Sequence, residues 1–154
     1  MHRLAILCAL VCLAAPLAAK DSLGVYDSWA AFRDADAARC YAIAKPRGQE
    51  KDGAFASIGS WPAQKIRNQV HFRLSRAVPA KSAVRLRIGS TTFPLAANGR
   101  DAWAEDARAD AAIVAALRSA SAMRVSGNGF SDRYDLAGVA TAIDAAVVGC
   151  AQRR

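Results

Sequence analysis

Apolar and polar side chains alternate along two stretches in the middle of the chain. Residues 70–76 read Val-His-Phe-Arg-Leu-Ser-Arg, and residues 84–88 read Val-Arg-Leu-Arg-Ile. Because successive side chains of a strand point to opposite faces, this period of two predicts strands with one buried and one solvated face. Pro79 lies between the two stretches and cannot extend a β-ladder, so we expect a turn there. The sequence therefore predicts an antiparallel hairpin with a cationic outer face.

Other stretches rich in aromatic and β-branched residues predict further strands. They are residues 22–26, 29–33, 40–44, 54–60, 91–95, 122–125 and 130–136. Pro94 suggests that the strand at 91–95 lies at an edge, and Asn98-Gly99 is a strong turn signal. Residues 46–53 are polar and bounded by Pro and Gly, which predicts an exposed, mobile loop.

The pattern becomes helical in the C-terminal half. Residues 107–120 are rich in Ala and place apolar side chains at i, i+1 and i+4 from Ile113, which predicts an amphipathic helix. Acidic residues precede this segment and Arg118 ends it, as the helix dipole favours. A second short helix is expected at 139–148. Without a repeat or a domain boundary, we predict one mainly β, mostly antiparallel domain with two helices, covering residues 20–154.

The first 19 residues have the layout of a secretory signal peptide. Arg3 is followed by an uninterrupted apolar run, and small residues precede Lys20. The run is too short for a membrane span of about 20 residues. Cleavage after Ala19 is the favoured outcome, against lipidation of Cys12 or an uncleaved anchor. We expect an exported protein, periplasmic, secreted or on the outer surface, with no transmembrane segment after cleavage.

The mature chain is strongly basic. Residues 20–154 carry 20 Lys and Arg against 13 Asp and Glu, a net charge of +7. This balance favours attraction to anionic surfaces such as lipid headgroups and cell-wall polymers. Nucleic acid would also attract such a chain, but export makes it an unsuitable natural partner.

Two cysteines, Cys40 and Cys150, remain after cleavage. In an oxidising compartment they most simply form one disulfide. The alternative is a catalytic or metal-binding thiol, which requires a nearby His or a CxxC spacing. The sequence shows neither.

Reactive residues are few. His71 is the only histidine of the mature chain, and its outward position on a strand predicts a solvated side chain. A general-base role stays open, because spatial neighbours are invisible in a sequence. The acidic groups could serve a glycosidase or hold Ca²⁺, although turn and helix-start roles explain them better; they are Asp34 with Asp36, and Glu105 with Asp106 and Asp110. We expect no catalytic residue, no metal site and no cofactor.

The best functional candidate in the sequence is a cationic patch on or beside the predicted hairpin. Its members are Lys65, Arg67, Arg73, Arg76, Arg85 and Arg87. Such a patch could dock on an anionic envelope or host component. The alternative is that like charges keep an exposed sheet face soluble and discourage strand-to-strand aggregation.

An ordered set of short motifs resembles the invasion-associated locus B family of exported bacterial proteins. The motifs are Trp29 with Cys40-Tyr41, residues 84–89 leading into Phe93-Pro94-Leu95, Ala102-Trp103-Ala104, residues 110–117, Met123-Arg124-Val125, and residues 132–138. The segment between Val125 and Tyr134 is shorter than the hairpin that the family often carries there.

This resemblance implies an immunoglobulin-like β-sandwich without known enzymatic activity. The expected function is therefore surface contact of a non-enzymatic exported protein with an envelope or host component. The alternative is an envelope carbohydrate-binding module, or a hydrolase whose site the sequence does not reveal. The partner and the oligomeric state are not predicted.

Overall fold

The computed structural model describes residues 20–48 and 53–151. The predicted signal peptide, residues 1–19, lies outside these ranges. The described chain is mainly β, with two helices in the C-terminal half, as the sequence predicted. The strands are β1 Asp21–Tyr26, β2 Trp29–Asp34, β3 Arg39–Ala44, β4 Phe55–Trp61, β5 Ile66–Val78, β6 Val84–Ile88, β7 Thr91–Trp103, β8 Ala122–Gly127 and β9 Phe130–Asp135.

All nine strands belong to one antiparallel sheet, in the order β1-β2-β3-β4-β5-β7-β6-β8-β9. The predicted hairpin between residues 70–76 and 84–88 is therefore wrong, because β7 lies between β5 and β6. Both strands exist, and the alternation of buried and exposed residues along β6 is strict. Alternation fixes which side of a strand is buried, but it carries no information about the neighbouring strand.

The long strand β7 joins the two parts of the sheet. Its first part, Thr91 to Leu95, pairs with β6, and its second part, Gly99 to Trp103, pairs with β5. Asn98-Gly99 lies inside this strand and forms no hairpin turn, which corrects the prediction from the sequence. Gly99 has a φ of 59°, a left-handed conformation that glycine adopts without steric cost, and such a residue allows a strand to bulge and bend.

The sheet curls so that β9 approaches β5. The backbone N–H of Ser75 donates a hydrogen bond of 2.9 Å to Oδ2 of Asp132, although three strands separate β5 from β9 in the sheet order. The Ser75 hydroxyl also donates to Asp132, which is fully buried. The Asp132 side chain thus accepts the hydrogen bond of a backbone N–H at the place where the curled sheet brings β9 against β5. The finer expectation of an immunoglobulin-like sandwich stays a prediction.

The helices cover parts of this sheet. Helix α1, Ala107–Leu117, packs on β5, and helix α2, Val139–Ala151, packs on β1, β2 and β3. The carboxylate of Asp106 accepts a 2.7 Å hydrogen bond from the N–H of Ala109, which caps α1 as the sequence predicted. The main core includes Trp29, Phe72, Leu86, Ile113 and Tyr134.

The Cys40–Cys150 disulfide is present, with an S–S distance of 2.06 Å. It joins β3 to the C-terminal turn of α2 and packs with Ala31 and Ala146 in a small second core. Of the predicted loop at 46–53, residues 49–52 lie outside the described chain. Pro46 is buried rather than exposed, whereas the flanking residues on either side of the gap are exposed.

Candidate functional site: an arginine row on the sheet

The six residues of the predicted cationic patch do not lie together. Lys65 and Arg67 lie at the start of β5, and Arg73 lies further along the same strand. The neighbour of Arg73 on β7 is Asp101, whereas that of Arg85 is Pro94, seven residues away along this strand. This separation corresponds to roughly 20 Å along β7.

Two members of the predicted patch, Arg73 and Arg76, contact residues outside it. Arg73 forms a 2.7 Å ion pair with Asp101, so its charge is locally compensated. The guanidinium of Arg76 reaches the turn at Gly129, between β8 and β9. Arg85 and Arg87 lie together on one open face, the outer side of β6.

The structure adds two arginines that the sequence reasoning missed. Arg87 on β6 lies directly opposite Arg124 on β8, and Arg124 lies directly opposite Arg133 on β9. Opposite residues of antiparallel strands have Cα atoms about 4.5–5.5 Å apart and project to the same side. All three side chains are exposed. We call these three residues the arginine row.

A second line of residues runs beside the arginine row. Arg85 lies opposite Ser126, which lies opposite Ser131, two residues along each strand from the row. Arg85 and Ser131 are exposed, and Ser126 is half-buried. The face therefore offers four guanidinium groups and two hydroxyl groups, all of which are hydrogen-bond donors.

The cations of this face form no ion pair with an acidic side chain of the described residues. Arg87 donates a 3.2 Å hydrogen bond to the carbonyl of Gly89, a neutral group. Asp135, two residues from Arg133 and on the same side of β9, pairs with Arg47. The backbone N–H of Ala137 and the Arg47 guanidinium hold the pKa of Asp135 below its ordinary value.

Like charges directly opposite each other destabilise a sheet. An anion bound across the row removes this repulsion and accepts hydrogen bonds from several guanidinium groups. The planar fork of Arg matches the oxygen atoms of phosphate and carboxylate, which it binds in bidentate fashion. The arrangement is thus suited to holding an extended anion.

His71 differs from its prediction as a solvated residue. Its Nε2 lies 3.0 Å from Oδ1 of Asp101, and its ring stacks on Trp103 with centroids 5.2 Å apart. Phe55 contacts the imidazole edge-on from the other side, at 5.5 Å. The histidine side chain is only 23% exposed. A cross-strand aromatic cluster and one carboxylate therefore hold His71 in place.

Asp101 is the polar centre of this cluster. Partial burial raises its pKa, but hydrogen bonds from His71 and Arg73 outweigh burial, and the pKa lies below its ordinary value. The carboxylate thus stays ionised and balances the Arg73 charge. This compensated cluster contrasts with the arginine row on the same sheet.

The remaining acidic candidates have structural contacts. Asp34 accepts a 3.1 Å hydrogen bond from the N–H of Ala37 and so stabilises a turn. Asp110 is buried and accepts a 2.8 Å hydrogen bond from the N–H of Val70, within β5. Within residues 20–48 and 53–151, no three His, Cys, Asp or Glu side chains are grouped so as to hold a metal ion.

The comparisons with known proteins leave the family resemblance a prediction. The chain matches no protein-family model, and no curated protein or solved structure shows significant similarity to it. Neither helix of the described chain has the length and apolar character needed to cross a membrane.

Proposed function

We propose that this is an exported, non-enzymatic protein that acts by surface contact, and that the arginine row with Arg85 docks on an anionic component of the bacterial envelope or host surface. The proposal shifts the predicted cationic patch from the β5 side to β6, β8 and β9. The observation that carries it is the direct opposition of Arg87, Arg124 and Arg133.

The surroundings of the row support an anionic partner. Its side chains are exposed, and the described acidic residues leave them without counter-charges. Among the described residues, the large apolar side chains that are exposed lie on β1 and α2 rather than on β6, β8 or β9; they are Val25, Val147 and Val148. Contact through the row is therefore electrostatic, and its strength should fall steeply with added salt.

The test compares two triple variants of equal net charge. In the first, Arg87, Arg124 and Arg133 are changed to Ser. In the second, three exposed cations elsewhere are changed to Ser; they are Lys20, Lys81 and Arg108. Binding to vesicles with anionic headgroups and to an acidic polysaccharide is measured from about 0.05 to 0.5 M salt, a range over which the screening length shortens severalfold.

We expect the row variant to lose binding and the control variant to retain most of it. Equal losses in the two variants would show that net charge alone drives association, and the proposed docking face would be rejected. It would also be rejected if the wild-type protein bound neither anionic probe at low salt.

A further inference from the structure

A cavity of about 530 Å³ lies between the C-terminal turn of α2 and the start of β5. Its volume falls within the range of about 300–1,000 Å³ that is usual for small-molecule sites. A short 3₁₀ helix, Pro62–Gln64, and the left-handed residue Lys65 turn the chain from β4 into β5 beside it. The disulfide at Cys150 fixes the opposite wall, since it anchors α2 to β3.

The walls of the cavity are mainly apolar. Ile66, Pro62 and Val147 are among the apolar residues that line it, and Val147 keeps 45% of its surface exposed. Ser60 also lines the cavity, and its hydroxyl accepts a 3.0 Å hydrogen bond from the N–H of Asn68. An exposed valine beside a formed cavity is apolar surface that a ligand can cover.

Among the described residues, the two charged ones that line the cavity are both cations. Lys65 and Arg67 are exposed and lack an ion pair with any described acid. An apolar pocket flanked by two cations is complementary to a ligand with a hydrocarbon body and one anionic group. It disfavours cationic amphiphiles, because a positive head group would be repelled there.

We propose that this cavity binds a small amphiphilic anion, with its acyl chain against Ile66 and Val147 and its carboxylate beside Lys65 and Arg67. The site is separate from the arginine row, and the proposal does not depend on the function proposed for that row. Apolar burial supplies the attraction, and the two cations select the sign of the head group.

The experiment uses sodium decanoate as the probe and isothermal titration calorimetry as the measurement. Val147→Asp places a negative charge in the wall, and Val148→Asp is its matched control. Val148 is the next residue of the same helix, is 55% exposed, and does not line this cavity. Both positions are partly exposed, so both variants should fold, which circular dichroism checks.

We expect Val147→Asp to weaken decanoate binding by at least about tenfold, and Val148→Asp to change it by less than about twofold. The double variant Lys65→Ser/Arg67→Ser should also lose at least about tenfold in affinity. Decylamine, which has the same tail and a positive head group, should bind the wild type at least about tenfold more weakly than decanoate.

The variant with Arg87, Arg124 and Arg133 changed to Ser should bind decanoate as tightly as the wild type. This control distinguishes binding in the cavity from a general attraction of anions to a basic protein. Three results would overturn the proposal. They are equal effects of the two valine substitutions, equal binding of decylamine and decanoate, and an unchanged affinity in the Lys65→Ser/Arg67→Ser variant. That last variant also keeps the test decisive if Val147→Asp fails to fold.

Discussion

The arginine row should reduce the stability of the fold, and Arg124→Thr should relieve this cost. Arg124 has an arginine directly opposite it on each side, Arg87 on β6 and Arg133 on β9. Each opposed like-charge pair costs about 0.2–1 kcal/mol. Two unit charges at about 6 Å in water repel each other by about 0.7 kcal/mol, which agrees with that range. Relief of both pairs should therefore raise the free energy of unfolding by about 1 kcal/mol.

The control for this substitution is Arg85→Thr. Arg85 lies on the same face, but its opposite neighbours are Pro94 and Ser126, which are uncharged. Both substitutions gain the same strand propensity and lose the same charge, so the difference between them isolates the opposed pairs. Urea unfolding with the disulfide intact measures both variants.

Salt provides the second measurement. At about 0.05 M salt Arg124→Thr should be the more stable variant, and at about 1 M salt the two should agree, because the screening length falls to about 3 Å. A destabilised Arg124→Thr, or a difference that persists at high salt, would refute the repulsion that we infer.

Three further predictions concern buried groups. The buried Tyr134 hydroxyl has no hydrogen-bond partner among the described residues, so Tyr134→Phe should raise the free energy of unfolding by about 1 kcal/mol in urea titrations, and a clear loss would reveal a partner. Burial raises the pKa of Asp110, so the folded state favours the protonated carboxyl. The stability that this preference contributes should be present below about pH 4 and should be lost as pH rises through the raised pKa. Asp110→Asn keeps an oxygen that can accept from the N–H of Val70, and it should flatten the pH dependence of unfolding between pH 4 and 7; an unchanged profile would contradict this. The Cys40–Cys150 disulfide spans 110 residues. Its replacement by two serines should lower the free energy of unfolding by up to about 4–5 kcal/mol in the same assay. A decrease below about 1 kcal/mol would be inconsistent with stabilisation by loop closure.

The strands were predictable because their pattern is local. The alternation of Val84, Leu86 and Ile88 with Arg85 and Arg87 specifies a half-buried strand whatever lies beside it, and the structure places these residues as expected. The disulfide was predictable for a different reason, since two cysteines in a chain predicted to be exported have one simple pairing.

Strand pairing was not predictable, and the composition of the site depends on it. Asn98-Gly99 has the sequence of a hairpin turn, yet it lies within β7, where Gly99 permits a left-handed residue inside a paired strand. As a result β7 lies between β5 and β6, and Arg73 and Arg85 are far apart. Arg124 and Arg133 already lay in predicted strands, but only the register shows that they face Arg87.

The strand register also helps to distinguish two explanations for the arginine row, anion docking and protection of the sheet from aggregation. Charges that protect a sheet from aggregation are expected on its edge strands. Arg133 lies on such a strand, β9, but Arg87 and Arg124 lie on β6 and β8, which have partners on both sides. Charges that serve solubility need not oppose one another, and on β5 the same sheet balances Arg73 with Asp101. A ligand that binds the folded state stabilises it by mass action, and an anion across the row would offset the repulsion where it is largest. The anion docking that we propose would explain why these charges oppose one another, and why two of them lie on interior strands, whereas protection of an edge would explain only the position of Arg133.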